Sequence, residues 1–173
     1  METLGLWGAI HKRLWDLRKD RKDLDISLLA YEKGFYVKND YYNGINAAYL
    51  CNLRASISSG AEATADVVVA RRIRRRVLVI CDAWLTEYEK RKQQNKNLTE
   101  GQDWEQEEKR LTEEKYWVLA TKAEACVGLG DDPAAQEPFN EAKAMAPASY
   151  MVESTETQMA NLKKLLAAVK IAD

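Results

Sequence analysis

Few side chains in this chain have the type and spacing that chemistry needs. His11 is the only histidine. No serine, cysteine and acid set can be assembled around it, so nucleophile activation and proton relay both lack candidates. Cys51, Cys81 and Cys126 lie 30 and 45 residues apart. That scattered set offers neither a metal knuckle nor a disulfide framework. Apolar neighbours mark each cysteine as a buried free thiol, as in a reducing cytoplasm. Gly128-Leu-Gly130 stops a helix and does not form the strand-to-helix turn that cradles phosphate. Glu105, Glu107, Glu108, Glu113 and Glu114 are interleaved with Lys109, Arg110 and Lys115 at helical pairing distance, the pattern of a solvated face. The sequence therefore implies no enzyme, no cofactor and no metal.

The sharpest anomaly is Arg71-Arg-Ile-Arg-Arg-Arg76, with five arginines in six positions. On a helix these wrap most of the way round: Arg72 and Arg76 share one side, while Arg71, Arg74 and Arg75 form a second cluster. One reading is an outer face laced to Glu62, Asp66 and Asp82. The alternative is a patch for an acidic peptide or a phosphorylated ligand, since guanidinium groups bind such oxygens bidentately. Nucleic acid is disfavoured, because the net charge is −1 and no aromatics interleave with the arginines.

The elements that must carry these residues are helical throughout. A length of 173 residues suits one domain, with 46% hydrophobic and 31% charged residues as in ordinary globular proteins. No apolar run is long enough to span a membrane, and residues 1–13 lack the pattern of a secretory signal. Leu4, Trp7, Ile10, Leu14 and Leu17 form one apolar stripe, followed by a charged stretch, residues 18–25, that reads as a loop. Ile26, Leu29, Ala30 and Phe35 mark a second helix ending near Asn39-Asp40, and residues 42–55 a third. A long helix over about 61–93 carries Val69, Ile73, Val77, Ile80, Trp84 and Tyr88 on its stripe. After a polar connector, Thr99 with Gln102 forms a capping box for a fifth helix, and Trp104, just after this loop, is a candidate for exposure. Asp132 as N-cap and Pro133 at the first position start a sixth helix. Thr155 with Gln158 caps a seventh, whose face is Met159, Leu162, Leu166 and Val169.

Internal repeats decide between a closed bundle and a solenoid. Residues 116–147 resemble one tetratricopeptide repeat: Ala123 is the small residue at the helix crossing, and Gly130-Asp131 the interhelical turn. Ala135, Phe139 and Ala142 supply the second helix face, and Pro147 closes the unit. Weaker copies precede it, with Gly8, Tyr31 and Gly34 in the first and Tyr42, Ile45, Asn46 and Tyr49 in the second. The turn in the first copy reads about seven residues too long for a standard repeat. The expectation is an all-α, tetratricopeptide-type superhelix in a single domain, with hairpins over about 3–38, 41–94 and 100–146 and a capping helix over 154–171. In that register His11 sits where the repeat places an aromatic, so it reads as a packed ring.

Five blocks narrow the resemblance: Leu4-Gly-Leu-Trp-Gly8, Tyr31-Glu-Lys-Gly-Phe35, Tyr41-Tyr-Asn-Gly-Ile-Asn-Ala-Ala-Tyr-Leu50, Tyr116-Trp-Val-Leu-Ala-Thr121 and Glu153-Ser-Thr-Glu-Thr-Gln158. Taken in order they resemble the TRAFs-binding domain family, a divergent tetratricopeptide domain of apoptosis signal-regulating kinases and bacterial repeat proteins. The resemblance implies a regulatory scaffold that recruits signalling proteins, without catalysis, and a start cut from a larger protein. A stack of hairpins has a concave groove lined by the first helix of each pair, suited to an extended peptide or a partner helix. The groove is expected to present Lys12, Asn43, Ala47, Trp117, Ala120 and Glu124, with Lys12 and Asn43 as polar contacts to a protein partner. A homodimer, or an oligomerisation segment, is the alternative use of the same surface.

Overall fold

A computed structural model describes residues 3–95 and 102–169 as seven helices and no strands. They are α1 Thr3–Arg18, α2 Arg21–Lys38, α3 Tyr41–Ser56, α4 Gly60–Asn95, α5 Gln102–Leu129, α6 Asp132–Met145 and α7 Ser149–Ala168. Packing runs between successive helices from α1 to α6, and α7 lies against both α5 and α3. The architecture is the all-α superhelix of tetratricopeptide type that the repeat pattern predicts.

Short turns with local caps set the antiparallel pairing. Asp20 begins α2, its carboxylate accepting from the Lys22 amide at 3.0 Å. Asn39 ends α2 in the left-handed region, at φ 51, with its N–H bonded to the Phe35 carbonyl. Asp40 then caps α3 by accepting from the Asn43 amide at 2.8 Å. Gly130, at φ +83, turns the chain out of α5, and Asp131 caps α6 through the Ala134 amide.

Small residues let the helices approach. A Cβ on Gly8 would stand 2.8 Å from the Tyr31 ring, which is 1% exposed. At Gly44 it would stand 2.6 Å from Val77 Cγ2 and 2.8 Å from the Phe35 ring. These contacts seat α1 on α2 and α3 on α4. Around them the main core gathers Leu24, Leu28, Leu50, Ile73, Val77, Val118 and Leu162, drawn from α2, α3, α4, α5 and α7. All three cysteines are buried free thiols, as their apolar neighbours predict.

Several expectations need correction. The stretch over 18–25 is not a loop: α1 runs to Arg18, and only Lys19 and Asp20 separate it from α2. Arg21, Lys22 and Asp23 form a first helical turn, because a capping aspartate and good helix formers outweigh the loop-like charge density. The first interhelical turn is therefore short. The α1 stripe is also reversed: Trp7 (52% exposed), Ile10 and Leu17 face outward, and the buried residues of α1 are Gly5, Gly8 and Trp15. Close approach to α2 selects the glycine side over the bulky one. Asp131, not Asp132, caps α6. Thr155 lies inside α7, which begins at Ser149, and its hydroxyl bonds the Met151 carbonyl and the Tyr116 hydroxyl. The capping box at Thr99 and the exposure of Trp104 lie outside the described residues.

Candidate functional site

The first helices of the hairpins, with α7, enclose a groove of about 250 Å³. Lys12 comes from α1; Tyr42, Ile45 and Asn46 from α3; Trp117, Ala120, Thr121 and Glu124 from α5; and Ser154, Thr155 and Gln158 from α7. The α5 residues recur at three, four and seven positions, so one helix face supplies one wall. A buried hydrogen bond of 2.9 Å between the Tyr116 and Thr155 hydroxyls ties that wall to α7.

Of the expected groove residues, the structure brings Lys12, Trp117, Ala120 and Glu124 together. Asn43 and Ala47 are elsewhere, at 3% and 0% exposure. The Asn43 amide donates to Asp40 Oδ2 at 2.7 Å. Its oxygen fills the space over Gly34, where a Cβ would stand 2.6 Å away. Asn43 is thus a buried spacer where α1, α2 and α3 meet, at the back of a separate cavity of about 420 Å³. Tyr42 and Asn46, each one residue before the expected Asn43 and Ala47, take the groove positions in their place. The one-step register error follows from the irregular second repeat, which has no closing proline to fix its phase.

The groove is charged from within. Lys12 Nζ donates to Asn46 Oδ1 at 3.3 Å and stands 4.7 Å from the centre of the Tyr49 ring. Burial pulls its pKa below the ordinary lysine value, against the attraction of Glu124 and Asp16. Glu124, 8% exposed, accepts a long 3.5 Å bond from Gln158 Nε2. Among the described residues no cation stands within 4.0 Å of its carboxylate. Burial pushes its pKa up, opposed by Arg74, Lys12 and the Gln158 bond.

Behind Glu124 lies Arg74, with no exposed surface. Its Nη1 donates to Asn52 Oδ1 at 2.6 Å, while Nε and Nη2 have no partner among the described residues. Burial lowers its pKa to about 10, against the attraction of Glu124. The guanidinium lies against the backbone of Gly128, where any side chain would collide with it. Arg74 was expected on a surface cluster with Arg71 and Arg75; it belongs to the core. The stripe Ala63, Val67, Ala70, Arg74, Val77 and Cys81 is buried along its length, and Arg74 takes an inward position in it.

The rest of the run is exposed but not laced as expected. Arg71, Arg72, Arg75 and Arg76 have no carboxylate within 4.0 Å among the described residues. Arg76 Nε bonds Asn39 Oδ1 at 3.0 Å, and Arg71 borders a cavity of about 190 Å³ with Asn52, Gly128 and Val169. The acids assigned to the run pair with other residues: Glu62 with Arg21, Asp66 with Arg54, and Asp82 with Lys122. His11 is half-buried at the α1–α2 contact, 2.8 Å from Asp23 and edge-on to Trp7. Among the described residues no three His, Cys, Asp or Glu side chains are grouped to hold a metal ion. No helix among them is long and apolar enough to cross a membrane.

Residues 1–51, spanning α1, α2 and most of α3, match the model of a family described as Tetratricopeptide Repeats-Sensor. No curated protein and no solved structure matches the chain. The match supports a tetratricopeptide-type module of the kind that binds other proteins, without reaching the TRAFs-binding family that the signature blocks resemble.

Proposed function

We propose that this protein is a non-enzymatic interaction module that holds a peptide segment of a partner protein in the groove between α1, α3, α5 and α7. The observation that carries the reading is the convergence of Lys12, Trp117 and Glu124, from two sequence-distant helices, on one concave site. A solenoid offers its inner face to extended ligands, and an aromatic beside polar side chains suits peptide anchoring. The ordered signature blocks favour a regulatory role in a larger signalling protein. The buried thiols accord with a cytoplasmic setting. The whole chain, residues 1–173, serves as one such domain.

The test is selection of a random linear peptide library on the full chain, followed by rebinding to Trp117→Ala. Enriched peptides should bind the wild type and lose at least tenfold in affinity on the variant. Equal binding to both would move the site away from this groove. A second reading, self-association, is favoured by the outward apolar residues Leu6, Trp7, Ile10 and Leu17 of α1. Light scattering distinguishes the two: a dimer that Trp7→Ser/Ile10→Ser converts to monomer would support that second reading. Ligation of an acidic or phosphorylated group by the arginine run falls to its four exposed members; a phosphopeptide titration unaffected by Arg71→Ala/Arg75→Ala would reject it.

A further inference from the structure

Building on the peptide-groove reading, we infer that the occupant is a segment carrying a basic and an acidic side chain together, the basic one seated on Glu124 and the acidic one on Lys12.

Lys12 and Glu124 both line the groove and attract each other without closing into an ion pair. The Glu124 carboxylate and the Lys12 ammonium lie more than 4.0 Å apart, since they form no ion pair at that distance. Glu124 receives one 3.5 Å bond from a neutral amide. Lys12 gives one 3.3 Å bond to a neutral amide and faces an aromatic ring. Among the described residues each therefore has only neutral partners within hydrogen-bond reach. An ionised group withdrawn from water in this way is left short of partners, and a ligand that supplies the opposite charge recovers the deficit.

Arg74 explains why the carboxylate is kept at this place. Its fully buried guanidinium has two donor nitrogens without a partner among the described residues and exerts an attraction on Glu124 from behind the groove wall. It favours the ionised carboxylate without occupying its groove side. A ligand carrying only negative charge would meet Glu124 unfavourably, and one carrying only positive charge would meet Lys12. A segment with both signs satisfies each pole. Trp117 in the same wall offers a flat apolar surface for the methylene stem of a lysine or arginine.

The test reads the composition of the peptides that the selection described above enriches. Enrichment of sequences with a basic residue within a few positions of an acidic one is expected. In a repeat selection on Glu124→Gln the basic preference should disappear while the acidic one persists; on Lys12→Met the reverse should hold. Both variants are checked for wild-type helicity by circular dichroism, and a parallel isotherm of one enriched peptide against its charge-neutral analogue should show a loss of at least tenfold. Enriched peptides without paired charges, or preferences that neither variant alters, would overturn this inference and leave the groove reading standing. Failure to enrich any peptide would overturn both. A concentration-dependent dimer weakened by Lys12→Met would make a second copy the occupant and overturn it as well.

Discussion

Glu124→Gln should stabilise the protein at neutral pH. The side chain is 8% exposed, its one hydrogen bond among the described residues is 3.5 Å long, and the nearby cations Lys12 and Arg74 both lie beyond 4.0 Å. Burying an ionised group costs several kcal/mol, whereas a cation just beyond 4 Å returns at most about 4 kcal/mol in a protein-like medium. The net upward pKa shift already includes the attraction of both cations, so desolvation wins. Glutamine keeps the shape and the Gln158 contact without the charge, and a gain of about 1–3 kcal/mol follows from the behaviour of buried ions. The sign with pH is fixed by the same shift. A carboxyl whose folded pKa is raised contributes its full stability below the unfolded value of about 4.3, and loses it as pH rises through the folded pKa. The two proteins should therefore match near pH 4 and diverge above it. Urea denaturation followed by helical circular dichroism at pH 4 and 7.5 measures the gap, and changes in all other carboxylates cancel between the two proteins. A variant less stable than wild type at pH 7.5, or a gap that does not change with pH, would refute the reasoning.

Gly44→Ala should lower stability by up to about 2 kcal/mol. The new methyl meets Val77 and Phe35 at 2.6 and 2.8 Å, and overpacking of about 1–3 kcal/mol exceeds the roughly 1 kcal/mol gained in helix propensity; an unchanged melting temperature would contradict the close α3–α4 contact. Arg54→Met should cost about 2–3 kcal/mol in chemical denaturation. Arg54 donates to both oxygens of Asp66, which is 6% exposed, and to Asp25, so the variant leaves a buried carboxylate unpaired and unties α2 and α4 from α3. A loss below about 0.5 kcal/mol would show the cluster to be a surface pair in effect. Cys51 and Cys81, buried and with pKa values pushed up to about 12, should resist a disulfide reagent at pH 8 in the folded protein and react fully in denaturant. Rapid labelling of either in the native state would place it at the surface.

The sequence made the fold legible because helical periodicity and turn residues agree along most of the chain. Gly130-Asp131 and Asn39-Asp40 mark real helix ends, and Ala123, Ala135 and Ala142 are buried where the repeat wants small residues. What failed was local. A dense charge run hid the start of α2, since composition says little about a capped first turn. The apolar side of α1 proved to be its outer side, because glycine, which leaves no hydrophobic signal, controls the approach to α2. Part of the groove was visible from repeat register: Lys12, Trp117, Ala120 and Glu124, four of the six residues expected there, converge. Asn46 and Gln158 were not, the first through a one-step phase error and the second because a cap signature competed with a mid-helix position.

Arg74 shows most clearly where pattern reading runs out and what could extend it. At 100° per residue the five arginines cover about 200° of the helix and leave an arc of about 160° around Ile73 for the core, yet Arg74 still turns inward. Which one turns inward follows from the stripe on either side: Ala70, Val77 and Cys81 are buried at spacings of four and seven that pass through position 74. The space for a guanidinium there is made by Gly128 on α5, and Asn52 on α3 supplies its one hydrogen bond. From that buried position Arg74 attracts the Glu124 carboxylate in the wall of the groove. A purely structural core would be more stable with an aliphatic residue at position 74 and alanine at 128, because two guanidinium donors are left unpaired. Arg74→Leu with Gly128→Ala should then raise the unfolding free energy while weakening whatever Glu124 binds. If the double variant gained stability and kept full peptide affinity, the buried charge would have no part in recognition.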